Sequence, residues 1–422
     1  TTDDTALIVS ALESAGITHI EVGHGLGLGA SRAGKGTAAA TDEEYITSAV
    51  RAADKAQIAV FFIPGIGSLD DIRAAAENGL SILRVGTDVT RSQETKPYIE
   101  AAKKLGLMVC CNFMKSYAVT PQEFANRVRE VENFGADMAY LVDSAGGMLP
   151  NEIKQYIDSA RNVSNLPLGF HGHDNLRMAL ANTLAAWDAG AKALDASLLG
   201  MGRSEGNCPT EVLVAVLQKR NLCIELDVNR LLDIGEAFIA PLAFPSKPTS
   251  LGITAGRARF HSSFLSAALD VASKYNLDVR QLILALGEEG VVGVSQELLE
   301  QRAKQLIGYK DKRTWNVAFG TENSSSQATL ADQAKLLAQR LRSEAKKQAL
   351  PSVLNVVLSN EEPAHVSPYV ETSFGCAISN IMVENMSQAM SVLQTCDTLA
   401  DYFLVDLQNN VPDDPAGFRS RL

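Results

Sequence analysis

Two histidines, His171 and His173, stand two residues apart in the segment GFHGHDN (169–175), at the end of an apolar run. If this run is a strand, residues i and i+2 point to the same side of it, so both imidazoles would reach one ligand. Neutral imidazole binds divalent transition metals, usually together with carboxylate or amide oxygens. The spacing therefore predicts a metal site, and two polar residues packed at a strand end are the alternative. Two histidines do not complete a coordination shell, so further ligands are expected elsewhere.

The elements that would position these histidines follow a strand–helix rhythm over the N-terminal half of the chain. Short apolar runs rich in β-branched residues alternate with helical patterns, several of which end in glycine, as helix C-termini often do. Continuous apolar strands separated by helices indicate parallel strands buried on both faces. Seven such strands are predicted, at residues 19–24, 58–65, 82–88, 107–114, 138–146, 167–174 and 193–202.

The predicted fold class is α/β: a TIM (β/α)8 barrel without its first strand, then a helical domain and a small C-terminal α/β domain. The chain opens on a helical pattern with an apolar stripe at Ile8, Leu12 and Ile17. A barrel helix normally follows a strand, so one strand is expected ahead of Thr1. An open doubly wound sheet is the alternative, because it needs no missing strand.

Three domains are predicted along the chain. Residues 1–225 would form the catalytic barrel, and residues 226–318 a helical domain that packs on it. A Ser-rich, linker-like stretch at 320–333 precedes a helix–strand–strand–helix–strand pattern. Residues 319–422 are therefore expected to form a small α/β domain, for which the sequence suggests no role.

Polar residues cluster where the predicted strands end, which is the side of a barrel that carries its chemistry. A glycine-rich loop, GMGRSEGNCPTE (200–211), follows the last strand, and its glycines permit close backbone approach to a ligand. An ordinary turn before a helix is the alternative interpretation of this loop. The polar strand-end residues are Glu21, His24, Asp88, Asn112, Lys115, Asp143, Ser144, His171, His173, Asp195 and Ser197.

Composition excludes several classes of function. The 422 residues carry a formal net charge of −11, which disfavours nucleic-acid or anionic-membrane binding as the main activity. No apolar run reaches the length of a transmembrane helix, so no membrane association is expected. The six cysteines form no C-x-x-C pair, which favours a reducing compartment and a cytoplasmic location.

Several segments together resemble one known superfamily. In their order and spacing, the chain resembles the metal-dependent HMG-CoA lyase/isopropylmalate synthase superfamily, and within it the 4-hydroxy-2-oxovalerate aldolases. The similarity runs from Thr1 to about residue 308. The segments are IEVGHGLGLG (20–29), YLVDSAGGMLP (140–150), GFHGHDN (169–175), DASLLGMGRSEGNCPTE (195–211) and HSSFLSAALDVASKYNLDV (261–279), with a tail at 287–297.

The resemblance implies a barrel lyase that uses a divalent metal, Mn²⁺ or Mg²⁺. His171 and His173 would be two of its ligands. The third, an aspartate in an L-R-D-G motif on the first barrel strand, would lie upstream of Thr1, and the arginine of that motif stabilises the pyruvate enolate in the family. This sequence contains no such motif, which agrees with the strand expected ahead of Thr1.

The resemblance also leads us to expect roles for four further residues. Glu21 would orient a ligand of the metal, as outer carboxylates do, and Asn207 would supply another oxygen ligand or a substrate contact. Ser144 would bind the pyruvate carboxylate. His261 stands where the aldolases carry a tyrosine, and its imidazole would exchange the proton of the 4-hydroxyl. A capping or surface histidine is the alternative for His261.

The function expected from this resemblance is retro-aldol cleavage of a 4-hydroxy-2-oxo acid to pyruvate and an aldehyde. There are two alternatives. One is an enzyme that condenses an acyl-CoA with a 2-oxo acid, and the other is a catalytically inactive barrel used as an assembly module. The expected partners are a small 2-oxo acid, further copies of the chain in a homo-oligomer, and an acetaldehyde dehydrogenase-like protein.

Overall fold

The structure of the protein is a computed structural model. The chain forms two compact units, Thr1–Lys304 and Gln305–Leu422, and each is described by itself. The predicted tail at 287–297 and linker at 320–333 lie partly outside the described residues. Within the described part, no helix is both long and apolar enough to cross a membrane. The described residues are 1–242, 250–275, 277–287, 293–306, 316–318, 330–347, 352–358, 365–366, 369–373, 376–383, 386–396 and 402–406.

The first unit contains a curled sheet of seven parallel strands in the order β1-β2-β3-β4-β5-β6-β7. This sequential order confirms the seven predicted strands and is not the order of a doubly wound sheet, in which later strands return to the other side of the first. The strands are β1 (His19–Val22), β2 (Gln57–Phe62), β3 (Ile82–Asp88), β4 (Met108–Met114), β5 (Met138–Asp143), β6 (Leu168–Gly172) and β7 (Ala193–Leu194).

The last strand is much shorter than the predicted span of 193–202. Only Ala193–Leu194 pair with β6, and a short 3₁₀ helix follows at Leu198–Gly200. Within that helix Leu199 has a positive φ of 51°, which a continuing strand does not allow. The glycine-rich loop therefore begins earlier than the apolar pattern indicated.

Helices alternate with the strands as the sequence predicts. Capping boxes start several of them: Thr41, for example, accepts from the Glu44 backbone N–H at 3.2 Å, while the Thr41 N–H donates to the Glu44 carboxylate at 2.8 Å. The helices of this part are α1 (Thr2–Ser14), α2 (Asp42–Ala52), α3 (Leu69–Glu77), α4 (Lys96–Lys104), α5 (Pro121–Asn133), α6 (Pro150–Arg161), α7 (Ala179–Asp188) and α8 (Thr210–Lys219).

The rest of the first unit is helical where it is described. Its first helix, which ends at Ile234, is directly followed by a π-helical turn at Gly235–Ile239. The helices are α9 (Val228–Ile234), α10 (Ser250–Ala258), α11 (Leu265–Tyr275), α12 (Val279–Gly287) and α13 (Gln296–Leu306).

The main core lies between the outer face of the sheet and the helices. Strand alternation sends Leu83 and Cys111 outward into this core, while Ile82 and Cys110 point to the inner face. The inner cluster is small, and Tyr140 is its largest member. The inner face is therefore apolar towards the N-terminal ends of the strands and becomes polar towards their C-terminal ends.

The second unit carries a separate sheet in the order β13-β9-β12-β11-β8, with β10 paired to β12. The predicted helices and strands of this region are present, and β8, β10 and β11 are additional short strands. The elements are β8 (Asn316–Ala318), α14 (Leu330–Lys347), β9 (Ser352–Leu358), β10 (His365–Val366), β11 (Tyr369–Ser373), β12 (Cys376–Val383), α15 (Met386–Cys396) and β13 (Tyr402–Asp406).

Candidate active site

His171 and His173 lie at and just beyond the end of β6, with ring centroids 5.2 Å apart and planes at 80°. The Nδ1 of His171 is 3.0 Å from the Asp195 carboxylate, and the Nδ1 of His173 is 3.2 Å from the carbonyl oxygen of Arg203. Both partners only accept hydrogen bonds, so each Nδ1 carries the proton. Each Nε2 then presents a lone pair, which is the tautomer that a metal-binding histidine needs.

These two imidazoles fit a divalent ion, but they do not form a complete site. Burial, and then the proximity of the His171 and His261 imidazoles, lowers the pKa of His173 to about 3, so its ring is neutral near pH 7. Among the residues that the structure describes, no group of three histidine, cysteine, aspartate or glutamate side chains is arranged to hold a metal. The pair is thus a partial donor set of the type that zinc, manganese and iron sites use.

An arginine in the middle of β3 organises the charges beside His171. Arg84 donates to Glu21 at 2.6 Å and to the Asn112 side-chain oxygen at 2.8 Å, and it pairs with Asp195. Its guanidinium also lies 4.7 Å from the centroid of the Tyr140 ring. One cation therefore holds two carboxylates and an amide on the inner face of the sheet.

Asp195 is shared between this arginine and the first histidine. Burial alone would raise the pKa of Asp195, but the Arg84 guanidinium and the hydrogen bond from His171 together hold it below its ordinary value. Asp195 is thus a carboxylate that fixes the tautomer of His171 and balances the charge of Arg84. A carboxylate behind an imidazole in this way raises the basicity of a metal ligand.

The glycine-rich loop after β7 folds back over His173. Asn207 forms an antiparallel bridge with His173, and the Asp174 N–H donates to the Gly206 carbonyl at 2.9 Å. Gly206 has a φ of +94°, and a Cβ there would lie 2.4 Å from the Gly200 carbonyl oxygen, so only glycine fits. The side-chain oxygen of Asn207 is buried and has no hydrogen-bond partner in the described structure, which leaves an acceptor beside the histidines.

Ser144 lies at the end of the neighbouring strand β5. It is 3% exposed, and its hydroxyl accepts from the Lys115 backbone N–H at 2.9 Å. The preceding residue, Asp143, ties the two strands together because its carbonyl oxygen accepts from the His173 N–H at 3.1 Å. Burial raises the pKa of Asp143 to about 6, although backbone N–H groups of Met148 and Gly147 donate to it. Ser144 therefore stands one strand away from the histidine pair.

His261 follows α10 and precedes a short 3₁₀ helix, Ser262–Phe264. Its Nδ1 accepts from the Ser263 N–H at 3.2 Å and lies 2.7 Å from the Ser263 hydroxyl, so the residue caps this helix. Burial, and then the charges of Lys115 and Arg203, lower the pKa of His261 to about 3. The ring is therefore neutral near pH 7 and close to cationic side chains.

Some of the predicted site residues are in direct contact with one another, and others are not. His171, His173 and Asn207 are direct neighbours, and Glu21 is joined to His171 only through Arg84 and Asp195. Ser144 follows β5, and His261 follows α10. Arg84 was not among the predicted site residues, although a charged residue inside the apolar run ILRVGTD was a signal that the strand faces a polar interior.

Comparison with known proteins gives one consistent result. A sequence model of the HMGL-like family matches residues 1–238. The 4-hydroxy-2-oxovalerate aldolase of Bacillus thuringiensis (strain Al Hakam) is 35% identical over 311 residues, which cover 74% of this chain and 91% of that protein. The 4-hydroxy-2-oxovalerate aldolase 2 of Nocardia farcinica (strain IFM 10152) is 38% identical over 309 residues, 73% of this chain and 89% of that protein.

A solved structure supports the fold. The carboxyl transferase domain of Rhizobium etli pyruvate carboxylase, determined with pyruvate and biocytin, superposes with a TM-score of 0.59 at 18% identity. The match covers 72% of this chain and 56% of that one. At this identity the likeness concerns the arrangement of strands and helices alone.

Proposed function

The chain belongs to the HMGL-like family, and from this premise we propose that it cleaves a 4-hydroxy-2-oxo acid to pyruvate and an aldehyde. The chain is a lyase, as its relatives named 4-hydroxy-2-oxovalerate aldolase are. The observation that carries the proposal is the pair of imidazoles at the end of β6, whose Nδ1 atoms are both engaged by acceptors. This arrangement leaves two Nε2 lone pairs available at the polar end of the sheet, where barrel enzymes bind their substrates.

His171 and His173 would hold a divalent ion, Mn²⁺ or Mg²⁺, with the buried side-chain oxygen of Asn207 as a further candidate donor. The remaining ligand would be the aspartate that the resemblance implies upstream of Thr1. When bound, such an ion supplies Lewis-acid stabilisation of the negative charge that develops on the 2-oxo group. Glu21 would act through Arg84, keeping that guanidinium and Asp195 in the positions that orient His171.

Ser144 would bind the substrate carboxylate. Its hydroxyl accepts from the Lys115 N–H, so its own proton is free to be donated to an anionic oxygen. In the reaction the bond between carbons 3 and 4 breaks, and its electron pair stays with the pyruvate fragment. That fragment takes up a proton at carbon 3, and the 4-hydroxyl loses its proton as the aldehyde forms.

His261 would accept that hydroxyl proton. A pKa of about 3 in the substrate-free protein makes the imidazole a weak base, and the positive charges of Lys115 and Arg203 contribute to this weakness. An anionic substrate offsets such positive charge, and a negative charge nearby raises the pKa of an imidazole. Substrate binding would therefore bring His261 closer to the pKa that proton transfer at neutral pH requires.

The test measures pyruvate release from 4-hydroxy-2-oxopentanoate by the full-length protein, detected through coupling to lactate dehydrogenase. The rates with Mn²⁺, with Mg²⁺ and with a chelator are compared. The proposal predicts metal-dependent pyruvate formation together with an equimolar aldehyde. Release of free coenzyme A from an acyl-CoA and a 2-oxo acid, without pyruvate formation from the hydroxy acid, would instead support the condensing alternative. Absence of both reactions in the metal-supplemented protein would contradict an enzymatic role.

A further inference from the structure

Lys115 has a backbone conformation that is rare for a side-chain-bearing residue. It follows β4 with φ 56° and ψ 41°, in the left-handed region, where non-glycine residues are strained. Its N–H is satisfied by the Ser144 hydroxyl at 2.9 Å. Such strain persists only where the surroundings fix it, and it is frequent at functional sites.

The Lys115 side chain is held in one place by two contacts. Its ammonium lies 3.1 Å from both carboxylate oxygens of Asp88, at the end of β3, and 5.2 Å from the centroid of the Phe264 ring. The lysine side chain is 10% exposed and that of Asp88 is 23% exposed. Burying a lysine–aspartate pair to this extent costs hydration free energy, and the attraction between the two charges does not fully offset that cost. Stabilisation of the fold alone therefore does not explain the pair.

This pair borders the residues to which we assign the substrate. Lys115 contacts Ser144 through its backbone, and Phe264 stacks edge-on to His261 with ring centroids 6.1 Å apart. Ser144 is the proposed carboxylate contact and His261 the proposed acceptor of the 4-hydroxyl proton. On these two assignments, the pair would lie next to the part of the substrate beyond the 4-hydroxyl, which becomes the aldehyde.

A third polar group lies close to the same place. The Tyr117 hydroxyl is buried and has no hydrogen-bond partner among the described residues. Burial raises the pKa of Tyr117, and the negative charges of Asp143 and Asp88 raise it further. A buried hydroxyl without a partner normally marks a position that water or a ligand completes.

We infer that Lys115 and Asp88 recognise a hydroxyl group on carbon 5 of the substrate, adjacent to the bond that is cleaved. The inference rests on the proposed function and narrows its substrate class to 4,5-dihydroxy-2-oxo acids, which would give pyruvate and a hydroxyaldehyde. A hydroxyl both donates and accepts, so it can bind the carboxylate and the ammonium together. A methyl group would cover the two polar side chains without hydrogen-bonding to either, so it would be bound less well.

The test compares kcat/KM for 4,5-dihydroxy-2-oxopentanoate and 4-hydroxy-2-oxopentanoate. The wild-type protein should prefer the dihydroxy compound at least about tenfold, because a site that hydrogen-bonds a hydroxyl rejects the analogue that lacks it. Lys115→Met and Asp88→Asn should each reduce that ratio at least about fivefold. Asp88→Asn is nearly isosteric and covers the case in which Lys115→Met fails to fold.

Lys103→Met is the matched control. Lys103 also pairs with an aspartate, Asp137, at 2.7 Å, but with 37% and 35% exposure and at the opposite ends of the strands. The Lys103→Met variant should have the same ratio of kcat/KM between the two compounds as the wild type. Equal or better use of the methyl compound by the wild type, or a parallel loss of both activities in the variants, would overturn the inference.

The same compounds separate a failure of this inference from a failure of the proposed function. If neither compound yields pyruvate, the proposed function is wrong, and calorimetric titration then decides the recognition claim. Tighter binding of the dihydroxy compound that is lost in Asp88→Asn and kept in Lys103→Met would support it. Equal binding of both compounds by the wild type would contradict it.

Discussion

Replacing Asp195 with asparagine tests how the charges beside the histidines are organised. Asp195 is 17% exposed, accepts from His171 at 3.0 Å and pairs with Arg84, whose side chain is 13% exposed. Asp195→Asn removes one charge with almost no change in volume. His171 then loses the carboxylate that fixes its tautomer, and among the described residues Arg84 keeps Glu21 as its anionic partner.

Two magnitudes follow from these contacts. Loss of an outer carboxylate behind a metal-binding imidazole typically weakens metal affinity by roughly 10–100-fold, which is about 1.4–2.7 kcal/mol. Removing one partner of a buried pair costs about 3–5 kcal/mol when the other charge is left alone. Arg84 retains Glu21 at 2.6 Å and Asn112 at 2.8 Å, so we expect a smaller loss, about 2 kcal/mol of unfolding free energy.

The two effects can be measured separately. Urea unfolding in the presence of a chelator gives the stability of the metal-free protein, and titration of the folded protein with Mn²⁺ gives the affinity. Asp188→Asn is the control, because Asp188 pairs with Arg220 at 2.6 Å on the surface, with side chains 54% and 39% exposed. That variant should lose less than about 1 kcal/mol and no metal affinity. Unchanged metal affinity in a folded Asp195→Asn protein would refute the assigned role of Asp195.

Three further outcomes are expected. In urea unfolding, the His261→Gln variant should lose less stability than the wild type as the pH falls from 6.5 to 3. The reason is that the unfolded imidazole takes up a proton near pH 6.5, whereas the folded one stays neutral down to about pH 3. An identical pH dependence in both proteins would refute the pKa assignment. Gly206→Ala should cost about 1–3 kcal/mol of stability and lower activity, since its Cβ would meet the Gly200 carbonyl oxygen at 2.4 Å; an unaltered protein would show that the loop over His173 is not constrained there. A chain ended at residue 318 should still unfold cooperatively, and insolubility would argue against the predicted division.

The strand positions could be predicted because buried parallel strands leave a clear apolar pattern. That pattern also places residues at strand ends, so His171, His173, Ser144 and Asp195 were identified as polar groups sharing one side of the sheet. It does not give contacts across the sheet. The ion pair between Arg84 and Asp195 joins β3 to the end of β7, residues 111 positions apart, and the curvature of the sheet brings them together.

Other features depend on backbone detail that composition does not encode. β7 ends after Leu194, and a 3₁₀ helix with a left-handed Leu199 follows, although apolar residues continue in the sequence. The cap that His261 forms on the next short helix depends on one Nδ1 contact, and the same residue type is equally suited to acid–base chemistry. The sequence therefore left two interpretations of His261 open, a helix cap and an acid–base group, and the structure shows the cap.

The most direct test of the central claim is metal content and pyruvate release in His171→Ala, with His19→Ala as the control. His19 is an exposed histidine at the start of β1, where its Nδ1 lies 2.9 Å from the Thr18 hydroxyl, at the opposite end of the strands. The account predicts that the folded His171→Ala protein loses its divalent metal and its metal-dependent pyruvate release, while His19→Ala keeps both. A folded His171→Ala protein that retains the metal and wild-type pyruvate release would contradict the assignment of the histidine pair as the metal site of this lyase.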